Sequence, residues 1–254
     1  MTKATDLQKA SLWKRFAAGL FDGIFVVTLA VGLAFLLSLA LGYDRYSDTL
    51  DEAYVRYETQ YGVSFSITPE EYEAMTQAEQ QKYDEVYELL AADEEAAYAY
   101  NMMVNLTMVI TTLGILLAVL IWELIMPLIF GNGQTLGKKM FGLCLMRTDG
   151  VAMNNMQLFV RTILGKFVVL MIPVYIVFLI FWGVMGINGT LVILAILAAQ
   201  VIIMAVTRTN SLIHDLLAGT VVVDYASQMI FRTTEDLIAY QKRVAADRAA
   251  RQPY

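Results

Sequence analysis

The stretch RFAAGLFDGIFVVTLAVGLAFLLSLALG, Arg15 to Gly42, decides the fold. From Phe16 onward it is apolar for longer than the roughly 20 residues a helix needs to cross hydrocarbon, and one acid, Asp22, interrupts it. Seven residues separate Arg15 from Asp22. That is about two helical turns, so the two charges share a helix face about 10 Å apart along the axis. An ionisable group at membrane depth costs at least about 2.5–3.5 kcal/mol, and function is the usual reason it is kept.

Three further apolar runs follow, Met102 to Phe130, Phe167 to Ile187 and Leu191 to Val206. With 58% hydrophobic residues and 17% charged ones gathered into such blocks, a soluble domain of 254 residues is excluded. The fourth run is short and must borrow Asn188 to Thr190 or thin the bilayer. Ser38-Leu39-Ala40 loosely fits a signal-peptide cleavage site. The run is too long for a signal peptide's apolar region, however, and it carries Asp22, so it reads as a retained span.

Charge carries the topology. Between Tyr43 and Asn101 there are fifteen acids and three bases, net −12, which leaves nine acids and fifteen bases, net +6, elsewhere. Lys3, Lys9, Lys14 and Arg15 precede the first span; Lys138, Lys139, Arg147 and Arg161 follow the second; Arg208, Arg232, Lys242, Arg243, Arg248 and Arg251 follow the fourth. By the positive-inside rule these segments and both termini are cytoplasmic, and Tyr43 to Asn101 lies outside.

The expected architecture is an all-α integral membrane protein with four transmembrane helices, an acidic helical external insert and a small cytoplasmic β ribbon. Its segments are 1–42, the N-terminus and first span; 43–101, the insert; 102–130, the second span; 131–162, a cytoplasmic loop; 163–207, the third and fourth spans; and 208–254, an amphipathic segment, strand and tail. Within the insert, Thr68-Pro69-Glu70-Glu71 and Thr76-Gln77-Ala78-Glu79 are capping boxes. They predict a short helix Pro69 to Met75 and a long one from Gln77 running unbroken into the second span. Tyr54, Tyr57, Tyr61 and Phe65 recur at three- and four-residue spacing and supply apolar packing upstream. The ribbon is expected from the β-branched run Thr220 to Val223 pairing with Gly142 to Arg147, beside the turn Thr148-Asp149-Gly150.

Four motifs then line up: Trp13-Lys14-Arg15-Phe16-Ala17-Ala18-Gly19-Leu20-Phe21-Asp22; Gly133-Gln134-Thr135-Leu136-Gly137-Lys138-Lys139-Met140-Phe141-Gly142-Leu143; Thr148-Asp149-Gly150 followed by Arg161; and His214-Asp215-Leu216-Leu217-Ala218-Gly219-Thr220-Val221-Val222. Their order and spacing resemble the RDD family of bacterial membrane proteins, named for one arginine and two aspartates. The resemblance covers Trp13 to Gly42 and Met102 to Asp224, and matches the three residues to Arg15, Asp22 and Asp215. It implies transport, with sodium/proton antiport attributed to some members.

The candidate polar cluster is Arg15, Asp22, Glu123 and Asp215, with His214, Thr135 and Lys138 as secondary members. Glu123 lies seven residues before the inner end of the second span, at the depth of Asp22, and Pro127 frees its carbonyl. Two acids at one depth suit a shared monovalent cation or proton; the competing reading is a structural set of ion pairs. Arg15 is expected to be linked to Asp22 directly or through Asp215. Gly19 and Gly23 form a small-xxx-small pair for helix packing, within the chain or with a second copy. The lone Cys144 excludes an intramolecular disulfide, and no metal-ligand spacing is present. Gly131 to Lys138 has the wrong spacing for a phosphate loop, so neither a nucleotide nor a nucleic acid is an expected partner. No cofactor, no metal and no enzymatic activity are expected, because nothing pairs a nucleophile with a base. The expected partners are the lipid bilayer, a monovalent cation or proton, and a second copy or another membrane protein. The alternative function is a non-transporting scaffold or accessory subunit that binds a partner through the acidic insert.

Overall fold

The computed structural model describes residues 10–251. Lys3 and Lys9, counted in the charge asymmetry, lie outside the described residues. Four helices are long and apolar enough to cross a membrane: α1 Leu12–Leu41, α5 Glu94–Phe130, α7 Asn155–Phe181 and α8 Gly186–Val206. Between α1 and α5 come α2 Tyr43–Tyr61, α3 Pro69–Ala74 and α4 Gln77–Ala92. Between α5 and α7 come α6 Leu136–Met140 and strand β1 Leu143–Arg147; after α8 come α9 Ile213–Ala218, β2 Thr220–Asp224 and α10 Thr234–Arg251. The chain divides into two compact units, one made of residues 30–114 and the other of the remainder.

In the unit 30–114 both predicted capping boxes form. Thr68 Oγ1 accepts from the Glu71 N–H while the Glu71 carboxylate accepts from the Thr68 N–H, and Thr76 and Glu79 repeat the exchange. Leu50 and Ala53 pack against Leu90, Ala96 and Ala99, with Tyr54, Tyr57 and Phe65 at the margin. The aromatic spacing therefore builds a core for this unit. The expected continuous helix from Gln77 is corrected: it stops at Ala92 and a new one starts at Glu94. The cause is Asp93, whose Oδ1 accepts from the N–H groups of Glu95 and Ala96 and caps α5. Its Oδ2 also takes Arg56 at 2.8 Å and the Tyr57 hydroxyl at 3.2 Å.

In the other unit β1 and β2 pair antiparallel, from Leu143 opposite Asp224 to Arg147 opposite Thr220. One face of the ribbon buries Leu143, Leu145 and Val222 against Ala10, Ala18, Phe141 and Met153; the other buries Cys144, Met146, Val221 and Val223 beside Ile230. Cover on both faces explains why Gly142 to Arg147 reads as an apolar run without clean alternation. Burial also pushes the Cys144 thiol up to about 12, which leaves it an inert packing group.

Two boundaries differ from the sequence reading. The third span starts at Asn155, because Asn154 and Gln157 form a capping box, so Arg161 belongs to the helix instead of the preceding loop. The fourth starts at Gly186 and thereby gains the length that its apolar run lacks.

Asp93→Ala should destabilise the start of α5 by about 1 kcal/mol, the usual cost of a lost N-cap. The check is faster hydrogen exchange at the amides of Glu95 and Ala96 with the α4 amides left protected.

Candidate functional site

The site lies wholly within the unit that contains the ribbon. It starts from Asp22, 3% exposed on α1. Its Oδ1 accepts from Trp122 Nε1 at 2.9 Å and from the Gly137 N–H at 2.9 Å, and its Oδ2 accepts from Thr135 Oγ1 at 2.5 Å. Three donors from two other segments take the place of water. Gly137 makes this approach possible, since a Cβ there would lie 2.5 Å from the Ala18 carbonyl oxygen and 2.8 Å from Asp22 Cγ.

Thr135 N-caps α6 and so brings Lys138 inward. Lys138 Nζ donates to Thr135 Oγ1 at 2.9 Å and stands 3.8 Å from Asp22 Oδ2 and 3.5 Å from Glu123 Oε2. Glu123 is 6% exposed, and its other oxygen, Oε1, is in close contact with Lys166 Nζ. Glu123 and Lys166 each sit on a π-helical turn, Leu120–Ile125 in α5 and Arg161–Phe167 in α7. Such turns are rare and collect at functional sites. Pro127 has no N–H for the Glu123 carbonyl, which instead accepts from Thr162 Oγ1 at 3.0 Å.

A second group forms around Asp215, which is fully buried. Its Oδ1 accepts from Arg161 Nε at 2.9 Å and pairs with Arg161 Nη2 at 2.8 Å; its Oδ2 accepts from Arg15 Nη2 at 2.9 Å. Arg15 Nη1 donates to the Thr209 carbonyl at 3.3 Å, and His214 Nε2 lies 3.5 Å from Asp215 Oδ1. Burial alone would raise the Asp215 pKa, but the charges of Arg161 first and then Arg15 outweigh it and hold the carboxyl well below the usual range. Burial drives His214 the other way, well below its ordinary value, so the imidazole stays neutral.

The predicted cluster is thus brought together, but in two groups. Arg15 and Asp22 are not directly linked: Arg15 serves Asp215, while Asp22 is held by Trp122, Thr135 and Gly137 with Lys138 beyond. Thr135 and Lys138 stand at the centre of the first group. Within this chain the helix-packing role of Gly19 and Gly23 is corrected, because a Cβ at either meets nothing within 4 Å; Gly137 is the glycine that admits a neighbour. Sequence reasoning missed Trp122, Arg161 and Lys166 as site residues. The available signals were the adjacency of Trp122 to Glu123 and two bases, Arg161 and Lys166, where an apolar run begins. Four bases, Arg15, Lys138, Arg161 and Lys166, face three acids, Asp22, Glu123 and Asp215. Among the described residues no group of three or more His, Cys, Asp or Glu side chains is placed to hold a metal ion.

Among the described residues, four helices long and apolar enough to cross a membrane mark a polytopic integral membrane protein. A family model, that of the RDD family, matches residues 9–219, and the chain belongs to the RDD family. No curated protein and no solved structure matches it.

Gly137→Ala should lower the unfolding temperature of the detergent-solubilised protein by several degrees, since the new methyl collides with backbone and with Asp22. Gly19→Ala and Gly23→Ala should leave it nearly unchanged, and comparable losses at all three positions would contradict the geometry.

His214 also fixes a pH dependence. Its folded-state pKa lies below the unfolded value of about 6.5, so protons favour the unfolded chain, and the stability is complete above that pH and is lost as pH falls below it. Unfolding measured from pH 7.5 to 5 should show this decline, and His214→Asn should flatten it.

Proposed function

We propose that this protein carries a monovalent cation across the cell membrane, sodium in exchange for protons, at the Asp22 and Glu123 carboxylates, with both termini and the ribbon in the cytoplasm and the acidic insert outside. The observation that carries the reading is the position of Lys138 Nζ between the two acids, at 3.8 Å and 3.5 Å. These separations exceed the roughly 2.7–2.9 Å of a close charge-assisted hydrogen bond. The ammonium fills the place a free cation would take, hydrogen-bonded to Thr135 Oγ1 at 2.9 Å but to neither carboxylate. A free cation can bind only when that positive charge is withdrawn, which makes the site an exchanger by construction. The charge asymmetry of the loops supports the orientation. The membership of the RDD family supports sodium and protons as the first ions to test.

A second reading is a non-transporting scaffold or accessory subunit whose acidic insert binds a partner. One observation favours it: Asp22, Glu123 and Asp215 are buried and charge-paired, and two surface clefts, one lined by Asp51, Val55 and Arg56 and the other by Asn132, Tyr225 and Phe231, include none of them.

Purified protein in vesicles decides between the two. A sodium signal driven by a pH gradient is expected from the wild type. Asp22→Asn and Glu123→Gln should each reduce it to the level of empty vesicles while the protein still unfolds cooperatively. Wild-type vesicles that give no flux under any sodium or proton gradient would establish the scaffold reading instead.

A further inference from the structure

Two buried atoms of opposite charge are left over from the pairing. Arg161 gives Nε and Nη2 to Asp215, and its Nη1 has no hydrogen-bond partner. Glu123 gives Oε1 to Lys166, and its Oε2 has no hydrogen-bond partner, its cationic neighbour being Lys138 at 3.5 Å. Arg161 is 2% exposed. A buried charged atom left in this state is costly and calls for an explanation.

The two residues sit on neighbouring π-helical turns, Glu123 on Leu120–Ile125 of α5 and Arg161 on Arg161–Phe167 of α7. Thr162, next to Arg161, bonds the Glu123 carbonyl at 3.0 Å. A guanidinium carries five N–H donors in a fixed fork and stays charged. Arg161 can therefore hold Asp215 with one edge and reach a second carboxylate with the other, which a lysine with its single ammonium cannot do in this geometry.

We propose that Arg161 is the positioning residue that joins the two groups: when Lys138 gives up its place between Asp22 and Glu123, Arg161 Nη1 closes on Glu123 Oε2 while its other edge keeps Asp215. This rests on the reading of Asp22 and Glu123 as the exchange site. Through it, occupancy of that site is felt at Asp215, hence at Arg15 on α1 and at α9, which leads directly into β2. The spare donor is the device. It is free in the arrangement seen here, with Lys138 in place, and satisfied in the other.

Two measurements on the full-length protein test this. The first is a double-mutant cycle over Arg161→Lys and Glu123→Gln in a Lys138→Met background, where the place between the two acids is vacated, read as thermal unfolding in detergent. Because Arg161→Lys keeps the charge, non-additivity reports the lost donor; simple additivity would overturn the role. The second follows sodium binding by Trp122, whose indole donates to Asp22, in a Trp13→Phe, Trp182→Phe background. Arg161→Lys is expected to shift the sodium Kd by about fivefold or more, and Asp215→Asn to do likewise. A role confined to anchoring α9 would lower the unfolding temperature of Arg161→Lys and leave the Kd unmoved, against the proposal. A wild-type chain whose Trp122 and vesicles both ignore sodium removes the exchange reading itself, whereas a normal sodium response with an additive cycle removes Arg161 alone.

Discussion

The constraint from which the rest follows is that Asp22 is buried and finds its hydrogen-bond donors in the chain. The indole of Trp122 comes from the same helix as Glu123; the Thr135 hydroxyl and the Gly137 amide come from the turn that follows it. To deliver those two donors the chain must reverse tightly after Phe130, and it does so through Gly131, Asn132 and Gly133, all with positive φ. At Gly133 no side chain fits, since a Cβ would lie 2.7 Å from Leu145 Cβ. The same turn is then stitched to β1 by Leu145 N–H to the Asn132 carbonyl at 3.0 Å and by Gln134 Nε2 to the Leu143 carbonyl at 2.7 Å. Satisfying one carboxylate thus fixes the turn, places α6 with its lysine and sets the start of the ribbon.

The Asp215 group closes the other side. Removing two arginines and a carboxylate from water costs several kcal/mol per ion, and a buried ion pair often contributes little net stability. Such a set is better understood as a device for specificity: it ties the first turn of α1, the π-helical turn of α7 and the short α9 to one atom pair, and misregistered packings of these apolar helices would strand a charge. The apolar surfaces alone could not select among those packings, because hydrocarbon solvates leucine faces equally well in every register.

Much of this was legible in the chain. Span number followed from run length, and the ribbon followed from one β-branched run and one turn signal. The capping boxes at Thr68 and Thr76 were readable because their mechanism is local. What escaped depends on distance. Asp93 as a cap has no glutamate or glutamine at the third position of its helix, only Ala96, so the break between α4 and α5 left no capping-box signature. Arg161 read as a loop charge because its helix starts six residues earlier, at Asn155, behind an Asn154 whose cap was overlooked. Which base takes which acid was not encoded in spacing at all. Arg15 and Asp22 share a helix face, yet Arg15 turns to a carboxylate two hundred residues away, because the Asp22 oxygens are already filled by neutral donors.

That division of labour separates the two acids chemically. Asp22 leans on an indole, a hydroxyl and a backbone amide, none of which carries a charge that can leave. Glu123 leans on Lys166 and Lys138 and keeps one oxygen without a hydrogen bond. Withdrawing a cation from the centre therefore strips little from Asp22 and much from Glu123, and a replacement charge is drawn first to the glutamate. With four bases set against three acids, the centre holds one positive charge more than its carboxylates neutralise. Of the four bases Lys138 stands farthest from a carboxylate oxygen, its ammonium bonding Thr135 Oγ1 at 2.9 Å instead. The acid most dependent on cations and the base farthest from any carboxylate are thus neighbours, 3.5 Å apart.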